Sequence, residues 1–191
     1  MILGMCYTAH KQYSARMGRY QIKEGEFKMA KLFVRIDDRL IHGQIVTAWA
    51  GTLGIKEIIA IDDTLAPNPM LKSIMLIGVP AVYHPKIVTS EEAKALLQKD
   101  SSVNRLVITR FCRNLAGIRE EIQSAEHVNL GNCSKQPDTV RNYPSGAGRY
   151  LCLNQADIDT LDALESDGLN IICQLLPTEK KRTWQELKKN V

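Results

Sequence analysis

The segment RIDDRLIHGQ, at residues 35–44, places one histidine among two arginines and two aspartates, directly after the apolar run at residues 32–34. This pattern predicts a strand that ends, a turn, and a helix that begins near His42. A histidine at a helix N-terminus lies beside free backbone N–H groups and the positive end of the helix dipole. The segment therefore indicates a histidine that accepts and releases a phosphoryl group.

The basic residues of the segment suit that chemistry, because a phosphohistidine carries negative charge and needs cations and N–H donors around it. Arg39 or Arg35 can bind phosphate oxygens with both arms of a guanidinium. Gly43 has no side chain and leaves room for a phosphoryl group to approach closely. Arg39, Arg35, Asp38 and Gly43 are therefore candidate residues of the phosphate-binding site.

The acidic residues of the same segment can hold the imidazole in place. Asp37 or Asp38 can accept a hydrogen bond from the ring nitrogen that does not react, which fixes the tautomer and the ring orientation. The alternative interpretation is that residues 37–39 cap the helix and that His42 is a partly exposed turn residue.

Residues 34–46 read VRIDDRLIHGQIV, and Trp49 follows them. This stretch resembles the opening of the IIB subunits of the sugar phosphotransferase system (PTS), in the mannose/fructose/sorbose family. The histidine of that motif is the phosphorylated residue in the family, and it matches His42. The resemblance also implies that Arg39 and Asp37 occupy motif positions that shape the phosphate-binding loop. We therefore assign catalytic roles to His42, to Arg39 as the cation and to Asp37 as the residue that orients the ring.

A weaker similarity to the same family extends over roughly residues 30–191. Acidic residues at 62–63 follow the second predicted strand, as they do in the family. The segment VNLGN at residues 128–132 resembles a family segment that ends in two glycines, with Asn132 in place of the second one.

The resemblance implies a route for the phosphoryl group. A phosphohistidine of a IIA protein donates it to His42, and His42 passes it to a sugar delivered by the membrane subunits IIC and IID. This scheme needs neither a metal nor a nucleotide cofactor. It implies a cytoplasmic protein, peripherally associated with the inner face of the membrane through IIC and IID, and a homodimer is possible.

Two other functions are consistent with the same residues. One is a nucleotide- or phosphate-binding α/β domain that only binds an anion at the helix N-terminus, although the chain has no glycine-rich fingerprint of that kind. The other is a non-catalytic regulator that senses phosphorylation at His42. The identity of the sugar is not indicated by the sequence.

The alternation of apolar strand patterns and helical patterns predicts an α/β fold with a single domain at residues 29–191. We expect a mostly parallel, open twisted sheet with helices on both faces. Predicted strands lie at residues 31–36, 57–61, 86–88, 105–109, 127–130, 150–153 and 170–175. Predicted helices lie at residues 42–51, 67–78, 90–98, 116–124, 155–166 and 183–189.

Ligands of such sheets bind at the carboxyl ends of the strands, often where the strand order reverses. Residues 37–42 and 62–64 both fall at such ends, and Arg110 and Arg113 follow a third. Either arginine can add positive charge to the phosphate site, although a surface position is the simpler interpretation. Residues 143–149, rich in glycine and proline, predict an irregular excursion.

Residues 1–28 do not fit the domain pattern, and they have no basic lead or long apolar run of a signal peptide. Lys23, Glu24 and Gly25 can be encoded by a purine-rich bacterial ribosome-binding sequence that precedes the Met29 codon. We therefore expect residues 1–28 to be a non-native leader, the alternative being a flexible arm. A mature N-terminus at Met1, measured by mass spectrometry, would exclude the leader.

The net charge of the chain is +4, from 25 Lys and Arg against 21 Asp and Glu. Without residues 1–28 these counts become 20 and 19, so the apparent basicity comes mostly from that segment. Bulk charge therefore does not favour a nucleic-acid partner.

Overall fold

The computed structural model describes residues 30–189, and the prediction for residues 1–28 lies outside them. The strands are β1 (Leu32–Asp37), β2 (Glu57–Ile61), β3 (Lys86–Val88), β4 (Arg105–Thr109), β5 (Ala125–Asn132), β6 (Arg141–Gly146), β7 (Arg149–Leu153), β8 (Ile171–Cys173) and β9 (Arg182–Thr183). The helices are α1 (Ile45–Ala50), α2 (Pro69–Leu76), α3 (Ser90–Leu97), α4 (Gln155–Ser166) and α5 (Trp184–Lys188). Short 3₁₀ helices cover Ala81–Tyr83 and Cys112–Ile118.

The main sheet has the strand order β3-β2-β4-β1-β5-β8-β9. All of its pairings are parallel except that of β8 with β9, which is antiparallel. The predicted α/β fold with a mostly parallel sheet is therefore confirmed. Strand β1 lies in the middle, between β4 and β5, so the loop that follows it opens where the strand order reverses.

Apolar side chains cover the sheet on both faces, as the prediction of helices on both faces requires. On one face, Ile45 and Trp49 of α1 pack with Ile58 and Ile108 of the sheet. On the other face, α3, α4, α5 and the 3₁₀ helix Cys112–Ile118 contribute to the larger apolar cluster. Burial of these faces fixes the strand ends from which the loops of the site extend.

Helix α1 confirms the helix predicted at residues 42–51, with one difference in its geometry. Residues Ile45–Ala50 form a π-helix, and residues 43–44 and 51–52 on either side of it are α-helical. Single π turns of this kind often occur at functional sites. The wider turn still directs Ile45 and Trp49 into the core.

Two predicted elements differ from the structure. The helix predicted at residues 116–124 is wrong: a 3₁₀ helix ends at Ile118 and turns follow to residue 124. No side-chain cap precedes it, and Gly117 lowers helix propensity. The excursion predicted at residues 143–149 is instead part of the β6–β7 hairpin, whose turn contains Gly146 and Gly148 at positive φ.

Candidate functional site

The loop that follows β1 begins at Asp37 and reaches His42 at the start of the α1 helical segment. Asp37 is fully buried at the strand end, and its carbonyl accepts a hydrogen bond from the Leu40 N–H at 2.9 Å. Leu40 is also fully buried and has φ of 54°, a left-handed conformation that is costly for a residue with a side chain. The buried leucine thus holds a strained turn that brings His42 back over Asp37.

The Asp37 carboxylate is enclosed by two arginines. Its Oδ1 accepts hydrogen bonds from the Arg39 backbone N–H at 3.2 Å and from Arg39 Nε at 3.0 Å. Its Oδ2 accepts from Arg39 Nη2 at 3.1 Å and from Arg35 Nη2 at 3.0 Å. A buried carboxylate needs such partners to remain charged, so the two arginines fix the position of Asp37.

The imidazole of His42 lies above this carboxylate and is largely buried, with 18% of its side chain exposed. Its Nδ1 lies 2.8 Å from the Leu40 carbonyl oxygen. Its Nε2 is buried without a hydrogen-bond partner among residues 30–189 and lies 3.9 Å from Asp37 Oδ2. Both ring nitrogens therefore face oxygen acceptors, and Nε2 faces the negative one.

The predicted catalytic residues Asp37, Arg39 and His42 are thus brought together at one strand end. The Arg39 guanidinium is 43% exposed, and its Nη2 also donates to Gln44 Oε1 at 3.3 Å. Arg39 is therefore the cation of the loop that faces the surface beside the imidazole.

Arg35, predicted as a phosphate-binding residue, lies instead within the protein interior with 1% exposed area. Its guanidinium donates to Asp37 and to the carbonyls of Gln174 and Leu175 at 3.1 and 3.3 Å. Burial lowers the pKa of Arg35 from its ordinary value, while the adjacent Asp37 carboxylate acts to raise it. In this position Arg35 supports the site from below rather than facing a bound phosphate.

Asp38, also predicted at the phosphate, anchors the loop to the end of β5. Its carboxylate accepts hydrogen bonds from Asn132 Nδ2 at 2.6 Å and from the Ser134 N–H at 3.0 Å. Partial burial acts to raise the pKa of Asp38, but the hydrogen bonds from Ser134 and Asn132 outweigh it and leave the pKa below its ordinary value. A carboxylate so engaged is a structural partner of the loop, and its charge would repel phosphate.

Gly43 begins the helical segment on the exposed side of His42. A Cβ atom built at Gly43 would meet no heavy atom within 4 Å, so this side of the loop is open. The first N–H groups of a helix have no intrahelical acceptor. The open space and these N–H groups together suit the approach of an anion.

Sequence reasoning treated Arg110 and Arg113 alike, but the structure separates them. Arg110 Nε donates to Asp62 Oδ2 at 2.7 Å, and its Nη1 donates to the Asp38 carbonyl. Arg113 pairs with Asp157 at 3.1 Å and stacks over the Phe111 ring at 4.0 Å. Arg110 therefore joins the loops after β1, β2 and β4, whereas Arg113 belongs to a separate ion pair.

An open cleft of about 460 Å³ lies beside the loop, between residues 62–65 and 110–114. Asp62 accepts the backbone N–H groups of Thr64 and Leu65, so the second acidic loop is built around its own aspartate. The cleft contains no histidine, and His42 is not part of its lining.

Sequence reasoning missed three residues that support the site. Gln44 and Trp49 lie in or after the recognised motif, and Gly131 lies in the VNLGN segment, but no local signal indicates their contacts. Trp49 Nε1 donates to the Leu175 carbonyl at 3.0 Å, and its ring lies 4.8 Å from the Arg35 guanidinium. Their roles depend on contacts between distant parts of the chain.

Comparison with known proteins shows the family of the chain. The model of a family described as "PTS system sorbose subfamily IIB component" matches residues 31–191. The chain therefore belongs to the sorbose-subfamily IIB components of the phosphotransferase system, as the resemblance at residues 34–46 indicated. Proteins of this class are of the phosphotransferase type.

Individual relatives are distant but cover nearly the whole domain. The fructose-specific EIIB component of Bacillus subtilis (strain 168) is 24% identical over 162 residues, which is 84% of this chain and 96% of the relative. The sorbose-specific EIIB component of Klebsiella pneumoniae is 27% identical over 148 residues, 76% of this chain and 87% of the relative. A solved structure titled "phosphoenolpyruvate-dependent phosphotransferase system" superposes with a TM-score of 0.72 at 21% identity, covering 84% of this chain and 99% of that one.

Within residues 30–189, no helix is both long and apolar enough to cross a membrane. The same residues contain no group of three or more His, Cys, Asp or Glu side chains arranged to hold a metal ion.

Proposed function

We propose that this protein is a phosphocarrier: His42 accepts a phosphoryl group from a IIA phosphohistidine and transfers it to a sugar taken up through IIC and IID. The observation that carries this proposal is the His42 imidazole held over the Asp37 carboxylate, with the exposed Arg39 beside it. The arrangement provides a nucleophile, a group that orients it, and a cation.

The position of His42 Nε2 favours Nδ1 as the atom that carries the phosphoryl group. Nε2 is enclosed and faces Asp37 Oδ2 at 3.9 Å, where a negatively charged phosphoryl group would be repelled. A protonated Nε2 at that position instead donates toward the carboxylate, which leaves the Nδ1 lone pair for attack. Nδ1 lies 2.8 Å from the Leu40 carbonyl oxygen, which only accepts hydrogen bonds, so Nδ1 carries the ring proton in this structure. Before the attack this contact must be released and the proton must move to Nε2.

The transfer itself is an in-line displacement. His42 Nδ1 attacks the phosphorus, the N–P bond to the IIA histidine breaks, and its electron pair returns to that imidazole. The sugar hydroxyl oxygen later attacks the phosphorus, the N–P bond to His42 Nδ1 breaks with its electron pair returning to the imidazole, and the hydroxyl proton passes to that imidazole or to solvent. Positioning and charge stabilisation account for the rate, because no bond to the other residues of the site is made or broken.

Arg39 stabilises the charge on the moving phosphoryl group. Asp37 engages Arg39 through Nε and Nη2, so Nη1 can donate to a phosphate oxygen while the ion pair persists. The N–H groups at the start of the α1 helical segment, next to Gly43, provide further donors.

The partners and the location follow from the same proposal. A relative named "PTS system mannose-specific EIIAB component" of Escherichia coli (strain K12) matches this chain over 46% of its length, and its name includes a IIA part. This supports a IIA protein as the donor. Under the proposed scheme the chain acts in the cytoplasm, next to the membrane subunits IIC and IID. The scheme requires one copy of the chain; sedimentation velocity tests whether it forms a homodimer.

The test is to follow phosphate from phosphoenolpyruvate through the two general PTS proteins and a candidate IIA protein to this chain. We expect labelling of the wild type and of His84→Ala, and none of His42→Ala with an unchanged circular dichroism spectrum. Adding membranes with IIC and IID and a sugar should then discharge the label. Labelling that persists on His42 without discharge would favour the regulatory function, and labelled His42→Ala would refute the assignment.

A further inference from the structure

Arg35 is an arginine placed inside the protein, beneath the phosphoryl-transfer loop. Three of its contacts are to oxygen: Asp37 Oδ2 at 3.0 Å and the carbonyls of Gln174 and Leu175 at 3.1 and 3.3 Å. Its guanidinium also lies over the Trp49 ring, 4.8 Å from the ring centre. Trp49 Nε1 donates to the same Leu175 carbonyl, so one carbonyl is shared by both residues.

The space for this guanidinium exists because residue 131 is glycine. A Cβ atom built on Gly131 would lie 2.2 Å from Arg35 Nη2 and 2.3 Å from Cζ. Any side chain at residue 131 would therefore force the Arg35 guanidinium to move. Gly131 is on β5, next to Asn132, which pairs in register with Asp37 of β1. The two central strands thus form a slot that Arg35 fills.

Fold stability alone is a poor explanation for this arrangement. Removing a guanidinium from water is costly, and replacing a buried ion pair by apolar side chains is often neutral or stabilising. A glycine in a strand interior also lowers stability. Arg35 needs both a buried charge and a glycine at residue 131, so its contact with Asp37 explains its position better than fold stability does.

Arg35 holds the carboxylate oxygen that faces the reactive histidine. Asp37 Oδ2 accepts from Arg35 Nη2, and it is also the oxygen nearest to His42 Nε2, at 3.9 Å. The other arginine partner of Asp37 is Arg39, which is exposed and faces the phosphate side. While Arg39 also binds the phosphoryl group through Nη1, Arg35 is the cation whose charge remains with Asp37 alone.

We propose that Arg35 is a positioning residue for phosphoryl transfer: anchored by the carbonyls of Gln174 and Leu175, it keeps Asp37 on His42 Nε2 while Arg39 binds the phosphoryl group. This inference rests on the proposed function of His42. It also makes the segment after β8 part of the site, since Gln174 and Leu175 lie at the end of that strand. Gly131 is then required because it makes room for Arg35.

Substitution tests this with a chemical donor, so that IIA docking plays no part. We would phosphorylate the protein with phosphoramidate and record rates against pH for Arg35→Lys and Gly131→Ala. Lysine retains the charge but cannot reach a carboxylate and two carbonyls in a fork. We expect both variants to slow His42 phosphorylation by about tenfold or more, with an altered pH profile.

The matched control is Arg105→Lys. Arg105 also donates to a carboxylate, that of Glu57, and to a carbonyl, that of Lys99, but it lies at the amino-terminal ends of the strands, away from the site. This control should retain the wild-type rate and pH profile. Wild-type rates and profiles in both Arg35→Lys and Gly131→Ala would overturn the inference. No labelling of the wild type by phosphoramidate or IIA would instead count against the proposed function.

A measurement on the unsubstituted protein covers the case in which these variants do not fold. Guanidinium and imidazole ¹⁵N resonances are compared by NMR before and after phosphorylation. We expect the Arg39 signals to shift, the Arg35 signals to stay, and a proton to remain on His42 Nε2. A large shift of Arg35 with Arg39 unchanged would show that Arg35 is itself the phosphate ligand and would overturn the inference.

Discussion

Two neighbouring regions of the molecule begin with the same three residues, Ile-Asp-Asp, at the ends of β1 and β2. In each loop the first aspartate is buried and pairs with arginine: Asp37 with Arg35 and Arg39, and Asp62 with Arg110. The second aspartate of each loop accepts two hydrogen bonds from a neighbouring segment, one from a backbone N–H and one from a side chain. Asp38 does so from Ser134 and Asn132, and Asp63 from Ser90.

The difference between the loops lies in what is added to this shared frame. The β1 loop adds an exposed arginine, a strained Leu40 turn and a histidine at a helix start. The β2 loop follows its aspartates with Thr64 and Leu65, whose N–H groups bind Asp62. The aspartates build both loops, but only Asp37 faces a histidine, so the proposed chemistry depends on the residues that the β1 loop adds, His42 and Arg39.

The largest expected difference comes from removing the first carboxylate of each loop. Asp37→Asn should slow phosphorylation of His42 by about a hundredfold, because the ring loses the charge that orients it. Asp62→Asn should leave this rate within about threefold, since Asp62 does not face the imidazole. Both lose a buried charge, so rates are compared at a temperature where circular dichroism shows both folded. Equal losses of rate would contradict the contrast between the loops.

Arg39 and Arg110, which pair with Asp37 and Asp62 respectively, provide the second comparison. Arg39→Gln should lower the phosphorylation rate by about ten- to a hundredfold, because the moving charge loses its cation. Arg110→Gln should have a smaller effect, since Arg110 bonds only the Asp38 backbone within the loop. Quench-flow labelling with a saturating donor measures both variants. A larger loss in Arg110→Gln would move the phosphate site toward the β2 loop.

The donors to the second aspartates provide a milder test. Asn132→Ala removes the side-chain hydrogen bond to Asp38 and a longer one to Ser134 Oγ, and Ser90→Ala removes the side-chain hydrogen bond to Asp63. We expect each to lower the free energy of unfolding by about 1 kcal/mol, measured by urea denaturation. Only Asn132→Ala should also slow phosphorylation, by a few fold. An effect of Ser90→Ala on the rate would show that the two loops are coupled.

The smallest expected effect concerns acid. The pKa of Asp38 is lower in the folded protein than its ordinary value, so its contribution to stability is present above the unfolded-state pKa. It is lost as the pH falls through the folded-state pKa. The stability difference between wild type and Asp38→Asn, from urea denaturation, should therefore shrink between about pH 5 and pH 3. A difference that stays constant over this range would contradict the anchoring role of Asp38.

Local signals predicted much of the fold. β2 at Glu57–Ile61 and α4 at Gln155–Ser166 have the predicted bounds, because an apolar run and an Asn154 cap define them within a few residues. The 3₁₀ helix at Cys112–Ile118 has no such cap, and the helix predicted after it was wrong. The hairpin depends on the pairing of β6 with β7, which a window of neighbouring residues does not contain.

The candidate site shows the same limit. Its central residues lie within one short segment, so the sequence alone brings Asp37, Arg39 and His42 together. The interior position of Arg35 could not be predicted, since its carbonyl partner at Gln174 lies 139 residues away. The slot at Gly131 is likewise a tertiary feature, visible only when β1 and β5 are paired.

The most direct measurement is peptide mapping by mass spectrometry of the protein after phosphorylation by phosphoenolpyruvate, the two general PTS proteins and a IIA protein. We predict one acid-labile phosphoryl group, on the peptide that contains His42, and none on the peptide that contains Asp62 and Asp63. A phosphoryl group on any other peptide, or none on a folded protein with every IIA protein tried, would contradict the assignment of the β1 loop.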